Sequence, residues 1–171
     1  MMALKQIVTL PDPILRRKAR PVARFDSALQ TLIDDMIETM RQAPGVGLAA
    51  PQVGVPDRVI VVEYAEDDEQ EDAPKKLFVV VNPEIKELSK ETEMGVEGCL
   101  SVIGLQGEVE RTLVVTVKGQ TRRGQPIKIK AKGWLARIFQ HEIDHLNGNV
   151  FTDRATKVWR PEPEQPPVDN V

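Results

Sequence analysis

Apolar residues first recur at helical spacing between Ser27 and Gln42. Leucine, isoleucine and methionine occupy positions three and four apart in this stretch, which predicts a helix with one buried face. Ser27 with Gln30 three residues later fits a capping box at its start. Pro44 follows shortly after Gln42, so we expect the helix to end there.

Four shorter runs rich in β-branched residues predict strands. They are Val59–Val62, Leu77–Val81, Val109–Lys118 and Ile127–Ala131. Residues 119–124 are rich in polar residues and glycine, and predict a hairpin turn between the last two strands. Six acidic residues lie between Glu66 and Asp72, and such a run is typical of a solvated loop rather than a binding surface.

The second helical pattern runs from about Trp134 to Asn147. Its apolar residues point in several directions, and a helix that is apolar nearly all round is buried on most sides. Gly148 is well placed to follow the C-cap, where glycine adopts a left-handed conformation at little cost. The sequence therefore predicts a core helix in this region.

Length and composition indicate one globular domain. We expect residues 1–160 to form it and the proline-rich residues 161–171 to be a disordered tail. The net charge of -3 gives no basic footprint for nucleic acid. No apolar run approaches the length of a membrane span, and the start lacks the features of a signal peptide, so a cytoplasmic protein is expected.

The two histidines of the chain lie four residues apart, in His141-Glu142-Ile143-Asp144-His145. Positions i and i+4 share one face of a helix, so both imidazoles can bind one metal ion. The H-E-x-x-H pattern is typical of a metal site with a built-in general base, here Glu142. The alternative is an ordinary helix with two surface histidines, which the buried character of the helix disfavours.

Cys99 is the candidate for a third metal ligand, because catalytic sites of this kind usually have three protein ligands and one open position. It is the one cysteine of the chain and cannot form an internal disulfide. A lone cysteine is often a small buried apolar residue. The otherwise incomplete site favours the ligand, since a thiolate binds zinc or ferrous iron strongly.

Small residues dominate the segment from Gly45 to Gln52. They let the backbone approach a ligand closely, although a tight connection between a helix and a strand explains them equally well. The segment lacks the spacing of a phosphate-binding loop.

Three segments together resemble the signature motifs of peptide deformylases. They are Gly45–Gln52, Glu97–Ser101 and Gln140–Leu146, in that family's order and at its usual distances. The resemblance covers nearly everything except the tail. It implies an α+β fold, with small, mostly antiparallel sheets around a central metal-binding helix. It also implies removal of the formyl group from the N-terminal formyl-methionine of newly made polypeptides, with release of formate.

The resemblance implies a role for each matching residue. One divalent transition metal is expected, Fe²⁺ in first place, with Zn²⁺, Ni²⁺ or Co²⁺ as substitutes. Glu142 would be the general base, and two donors would stabilise the oxyanion. The implied metal ligands are Cys99, His141 and His145, and the implied catalytic residues are Gln52 (side-chain amide), Leu100 (backbone N–H) and Glu142.

The substrate is expected to bind beside the Gly-rich segment. Gly45 to Gly47 would pair with the substrate backbone like an added strand. Val46 and Ile138, with the His141 ring, would line the methionine pocket. The expected partners are N-formyl-Met nascent peptides at the ribosome, and the expected state is a monomer.

Two positions depart from the family pattern. Ile103 stands where proline is usual, which is expected to loosen the loop that carries Cys99. Gln106 stands where arginine is usual, which removes a cation able to pair with Glu97 or to contact the substrate. Glu97 is expected to orient a basic residue near the site, and the alternative is that it only stiffens the loop around Cys99. Asp144 is expected to be a solvated charge.

Two other functions remain open. A zinc peptidase of the H-E-x-x-H type would take its third ligand downstream, where only 26 residues follow His145. The available carboxylates there are Asp153, Glu162, Glu164 and Asp169. The second alternative is a deformylase-like protein of low activity that binds peptide N-termini. The intact Glu142 and Gln52 speak against it.

Overall fold

The computed structural model describes residues 3–66 and 71–162. The helices are α1 (Ser27–Gln42), α2 (Gly133–Leu146) and α3 (Phe151–Arg154), with short 3-10 helices at Pro13–Arg16 and Ala50–Val53. The strands are β1 (Gly47–Ala49), β2 (Val59–Ala65), β3 (Lys75–Leu88), β4 (Thr92–Cys99), β5 (Val102–Thr112), β6 (Val114–Gln120), β7 (Pro126–Lys132) and β8 (Lys157–Trp159).

These strands form two sheets. The five-stranded sheet has the order β1-β2-β3-β6-β7, and the three-stranded sheet has the order β4-β5-β8. Each pairing between these strands is antiparallel. The predicted class, α+β with mostly antiparallel sheets, is confirmed.

The start of α1 differs from the prediction by one residue. Asp26 is the N-cap, and its carboxylate accepts a hydrogen bond from the Leu29 N–H at 3.0 Å. The predicted capping box of Ser27 and Gln30 is therefore wrong. The Gln30 side chain instead donates to the carbonyl of Arg122 at 2.7 Å, which ties α1 to the β6–β7 turn.

The predicted strand Val109–Lys118 is wrong as a single element. The chain leaves one sheet and enters the other at Leu113, between β5 and β6. β5 pairs with β4 and β8, whereas β6 pairs with β3 and β7. A continuous apolar pattern gives no sign of a change of sheet, so the sequence alone could not place this boundary. The predicted hairpin of β6 and β7 is present, with Lys118 opposite Lys128.

Helix α2 packs against both sheets, and its residues 135–146 are all buried. It contacts β1, β2, β3, β6 and β7 of the larger sheet and β5 of the smaller one. Gly148 follows the C-cap with a φ of 81°, as predicted. A Cβ atom there would lie 2.5 Å from the carbonyl oxygen of Arg16, so this position requires glycine for both conformation and space.

Both faces of the larger sheet are covered at β2. Ile60 and Val62 pack into the cluster that includes α2, while Val59 and Val61 pack into the cluster that includes α1. Coverage on both sides explains why this strand reads as an uninterrupted apolar run. A third, smaller cluster surrounds Cys99.

The segment from residue 3 to residue 20, before α1, joins distant parts of the chain. Four of its backbone N–H groups donate to carbonyls elsewhere in the chain: Val8 to Gln52 (2.7 Å), Leu10 to Ser101 (2.9 Å), Ala19 to Leu146 (2.7 Å) and Arg20 to Pro56 (2.7 Å).

Most of the predicted acidic loop and of the predicted tail lies outside the described residues, so the domain boundary at residue 160 stays a prediction. Within the described ranges, no helix has the length and apolar character that crossing a bilayer requires.

Candidate metal centre and active site

Helix α2 and the β4–β5 hairpin bring together three side chains that could hold a metal ion. His141 and His145 lie on α2, and Cys99 is the last residue of β4. Their ligand atoms all lie within 4.8 Å of one another, and all three residues are buried. Cys99 Sγ lies 3.4 Å from Nε2 of His145. The three residues predicted as ligands thus converge.

The turn after β4 fixes the cysteine. Cys99 pairs with Val102, so Leu100 and Ser101 form a tight turn between the strands. The backbone N–H groups of Ser101 and Val102 both donate to Cys99 Sγ. Ile103 lies in β5 with 76% of its surface exposed. The pairing that closes the turn does not depend on residue 103, so the expected loosening finds no support here.

Several buried polar atoms on α2 have no hydrogen-bond partner in the described part of the chain. They are Trp134 Nε1, away from the H-E-x-x-H motif, and within the motif His141 Nε2, His145 Nδ1 and both carboxylate oxygens of Glu142. Leaving a buried polar atom unpaired costs about 1–3 kcal/mol, so this arrangement calls for a ligand. One thiolate and two imidazoles form a donor set suited to a divalent transition metal, and the residues present fit such an ion.

Burial controls the protonation of these side chains. It lowers the pKa of His145 well below its ordinary value, with the charge of His141 adding to the effect, so the imidazole is neutral and able to coordinate. It raises the pKa of the Cys99 thiol to about 12, and the nearby Glu142 contributes. A metal cation must therefore displace a proton from Cys99 when it binds.

Glu97 orients His141, the first of the two candidate histidine ligands. Its carboxylate is fully buried and lies 2.8 Å from Nδ1 of His141. Burial alone would raise the pKa of Glu97, but hydrogen bonds from Arg111 and His141 outweigh it and hold the pKa far below its usual range. The ionised carboxylate can only accept, so Nδ1 carries the proton and Nε2 is left free for a metal.

Two buried arginines complete the surroundings of Glu97. Arg111 donates through Nε and Nη2, both at 2.9 Å, and Arg137 donates through Nη1 at 2.6 Å. Glu97 thus orients basic residues, as expected, without any cation at Gln106, which lies in β5 opposite Gly98. Sequence reasoning missed both arginines. Arg111 shares the inward-facing parity of the buried Val109, and that alternation could have identified it.

Asp144 is not the solvated charge that we expected. It is buried and accepts from Arg111 Nη1 at 2.7 Å and from Arg154 Nε at 2.6 Å. Its carboxylate therefore links the buried arginine beside Glu97 to Arg154 near the surface.

Gln52 lies in the 3-10 helix after β1, and its side chain faces Cys99. Its Oε1 accepts from the Ala49 N–H at 3.0 Å. Its Nε2 donates to Ser101 Oγ at 3.1 Å and lies 3.7 Å from Cys99 Sγ. Leu100, the other predicted oxyanion donor, is half-buried in the turn directly after Cys99. The structure thus places both predicted donors beside the cysteine.

The Gly-rich segment forms an edge of the larger sheet. β1 pairs with β2, and no other described strand pairs with it. Gly45 closes the end of α1 by donating to the Met40 carbonyl at 2.8 Å, and the Val46 carbonyl accepts from Glu63 at 2.9 Å. The remaining edge of β1 has the geometry that an extended peptide needs to add a strand. Val46 packs against the core cluster that contains the fully buried Ile138.

Gly47 makes room for the candidate general base. A Cβ atom at this position would lie 2.5 Å from Glu142 Oε2 and 2.9 Å from its Cδ. Burial, with the charge of Glu97 adding to it, raises the pKa of Glu142 well above its usual range. The carboxylate thus lies directly against the edge strand.

The sequence of this chain is similar to that of known proteins over nearly its whole length. The family model described as polypeptide deformylase matches residues 4–160. A peptide deformylase of Natranaerobius thermophilus is 48% identical over 161 residues, which cover 94% of this chain and 98% of that protein.

Solved structures agree with the sequence comparison. The crystal structure of a peptide deformylase from Thermotoga maritima has a TM-score of 0.81 and 42% identity, and covers 91% of this chain and 99% of that one. A class I type b peptide deformylase from Acinetobacter baumannii, crystallised with Met-Ala-Ser bound, has a TM-score of 0.83 and 42% identity, with 90% and 99% covered. Since the motifs, the fold and these similarities all agree, the chain belongs to the polypeptide deformylase family.

Proposed function

We propose that this chain removes the formyl group from the N-terminal formyl-methionine of newly made polypeptides at the centre formed by Cys99, His141, His145 and Glu142. Family membership supplies the reaction, which releases formate. One observation carries the assignment of the site. The three ligand atoms lie within 4.8 Å of one another, next to a buried Glu142 carboxylate that has no partner in the described ranges.

The proposed metal is ferrous iron, by family resemblance, and zinc, nickel or cobalt can take its place. A divalent transition metal bound by the thiolate and two imidazoles supplies Lewis acidity and makes water nucleophilic near neutral pH. Helix α2 would then be the metal-binding helix, because it supplies two of the three ligands.

Glu142 handles the proton in this proposal. Its carboxylate accepts a proton from the attacking water and later delivers it to the departing amine. Burial raises its pKa, so the side chain holds the proton between the two transfers. Neither carboxylate oxygen has a competing hydrogen bond in the described part of the chain.

Two hydrogen-bond donors stabilise the negative charge that develops on the formyl oxygen. They are Nε2 of Gln52 and the backbone N–H of Leu100. One such donor is typically worth about 3–4 kcal/mol in the transition state. The bond from the Ala49 N–H to Oε1 of Gln52 supports the assignment, because it fixes which end of the amide faces the centre.

The substrate would add a strand to the free edge of β1, with Gly45, Val46 and Gly47 along its path. The methionine side chain would enter a pocket lined by Val46, Ile138 and the His141 ring. Met-Ala-Ser, the tripeptide in the Acinetobacter baumannii structure, is what deformylation of formyl-Met-Ala-Ser leaves behind. We propose that the protein acts as a monomer on nascent chains at the ribosome, in the cytoplasm.

The structure disfavours both alternatives. A zinc peptidase needs a third ligand downstream of His145. The Asp153 carboxylate already accepts hydrogen bonds from Arg16 Nη1 at 2.6 Å and from the Val150 N–H at 2.9 Å. Cys99 Sγ, in contrast, lies within 4.8 Å of a ring nitrogen of each histidine. Glu164 and Asp169 lie outside the described residues. A binding protein without turnover would have no use for a Glu142 carboxylate that lacks a hydrogen-bond partner among the described residues.

An activity assay separates these functions. We expect hydrolysis of formyl-Met-Ala-Ser, with acetyl-Met-Ala-Ser and internal peptide bonds nearly untouched, because a tight formyl site rejects the added methyl group by steric clash. Cleavage of an unformylated peptide at a matching rate would make the protein a peptidase. Tight binding of formyl-Met-Ala-Ser by the metal-loaded protein without release of formate would support the binding function.

A further inference from the structure

Ser101 is a fully buried polar residue that the proposed mechanism leaves unused. Its exposed fraction is 0%, and its hydroxyl oxygen accepts a hydrogen bond from Nε2 of Gln52 at 3.1 Å. Burying a hydroxyl is unfavourable unless it has a partner, and here the partner is the side chain proposed to stabilise the oxyanion.

Two hydrogen bonds hold the Gln52 side-chain amide, one at its oxygen and one at its nitrogen. A primary amide has one acceptor oxygen and two N–H donors. The Ala49 N–H occupies the oxygen, and Ser101 Oγ occupies one donor. The second donor belongs to the same nitrogen, which lies 3.7 Å from Cys99 Sγ. With the amide plane fixed in this way, the second N–H donates towards Cys99 Sγ, on the metal side of the site.

Ser101 is itself held firmly in place. Its carbonyl accepts from the Leu10 N–H at 2.9 Å, and its own N–H donates to Cys99 Sγ. The hydroxyl therefore lies on the turn that also carries Leu100, the second proposed oxyanion donor. One short turn thus sets the positions of Cys99, of the Leu100 N–H and of the Ser101 hydroxyl that holds Gln52.

We propose that Ser101 is a positioning residue for deformylation: its hydroxyl holds the Gln52 amide with one N–H directed at the developing oxyanion. This inference rests on the proposed role of Gln52. Donors that are aligned before the reaction need no reorganisation when charge develops, so the benefit of alignment is realised in the transition state. Loss of the hydroxyl should therefore reduce kcat and leave KM nearly unchanged.

The test compares Ser101→Ala and Ser101→Thr in the metal-loaded full chain, with formyl-Met-Ala-Ser as substrate. We expect Ser101→Ala to lower kcat about tenfold or more, with KM changed by less than about twofold and the metal retained. Ser101→Thr keeps the hydroxyl and should recover most of the lost turnover. In a Gln52→Ala background, Ser101→Ala should have almost no further effect, because there is no amide left to position.

A matched control removes another buried hydroxyl. Thr39 Oγ1 accepts from the Lys5 N–H at 2.9 Å, just as Ser101 accepts from Gln52, but it lies on α1. Thr39→Val should leave kcat unchanged. Unfolding temperature and metal content are measured for every variant, so that a loss of fold is separated from a loss of alignment.

The outcomes separate a failure of the Ser101 role from a failure of the Gln52 role. If Gln52→Ala loses activity on the order of 100-fold while Ser101→Ala retains it, the role of Gln52 stands and that of Ser101 is overturned. Equal losses from Ser101→Ala in both backgrounds would also overturn the inference, since the effect would not pass through Gln52. Full activity of Gln52→Ala would overturn the proposed oxyanion donor and Ser101 with it.

Discussion

Adding one methyl group at Gly47 tests the position of the proposed general base without changing its chemistry. In Gly47→Ala the new Cβ would lie 2.5 Å from Glu142 Oε2, 2.9 Å from Cδ and 3.0 Å from Cγ. Ordinary van der Waals contact begins at 3.4 Å, so the nearest oxygen must retreat by about 0.9 Å. Because β1 is held by its pairing with β2, the carboxylate is the part that moves.

The expected effect on catalysis is large and the effect on stability is small. A misplacement of about 1 Å costs on the order of 100-fold in rate, which corresponds to about 2.7 kcal/mol in the barrier. Overpacking typically destabilises the folded state by about 1–3 kcal/mol. Replacing glycine by alanine offsets about 0.4–1 kcal/mol of this, because it lowers the conformational entropy of the unfolded chain. Gly47→Ala should therefore remain folded and lose about two orders of magnitude in kcat.

Gly119→Ala provides the matched control. Its Cβ would lie 2.6 Å from Val80 Cγ1 and 2.9 Å from the Val81 carbonyl oxygen, an overlap of the same size within the sheet. We expect this variant to lose stability and keep kcat. The measurements are kcat on formyl-Met-Ala-Ser, metal content and thermal unfolding. A Gly47→Ala protein with full metal and a kcat within about threefold of the parent would refute the reasoning.

Three further predictions concern the metal, the base and the pH dependence. Cys99→Ala should lose the metal, and full occupancy by elemental analysis would remove Cys99 from the site. Glu142→Gln should keep metal and fold but lower kcat on the order of 10²–10⁴-fold, because an amide cannot accept the proton; activity within about tenfold of the parent would contradict this. The hydrogen bond from Arg41 lowers the pKa of Glu63, so the pair stabilises the fold above the ordinary value of 4.5 and loses this effect as the pH falls through the lowered pKa. In urea unfolding, the free energy of unfolding of Glu63→Gln should fall less below pH 4.5 than that of the parent, by a difference of less than about 1 kcal/mol. The same pH dependence in both proteins would show that the Arg41–Glu63 pair does not contribute to it.

The sequence revealed the features that depend on local spacing. The 3.6-residue period located α1 and α2 to within about two residues, and the i, i+4 rule brought His141 and His145 to one face. Cys99 followed from counting ligands rather than from any local pattern. The helix predictions succeeded because neighbours on a helix are fixed by the helix itself, whereas the role of Cys99 as a metal ligand stays a prediction.

The features that the sequence did not reveal depend on packing between distant segments. Arg137 reaches Glu97 across 40 positions of the chain, and no local rule connects the two. The contact between Gly47 and Glu142 joins an edge strand to the core helix. The break at Leu113 was hidden because both flanking strands carry the same apolar alternation.

The segment before α1 has a consequence for the order in which this protein can be completed. Leu10 is made early, yet its hydrogen-bond partner Ser101 lies far along the chain, and Ala19 bonds to Leu146 at the end of α2. Synthesis proceeds from the N-terminus, so these first residues have left the ribosome long before their acceptors exist. A protein proposed to act on the beginnings of other chains therefore cannot complete the docking of its own first segment until α2 has been made.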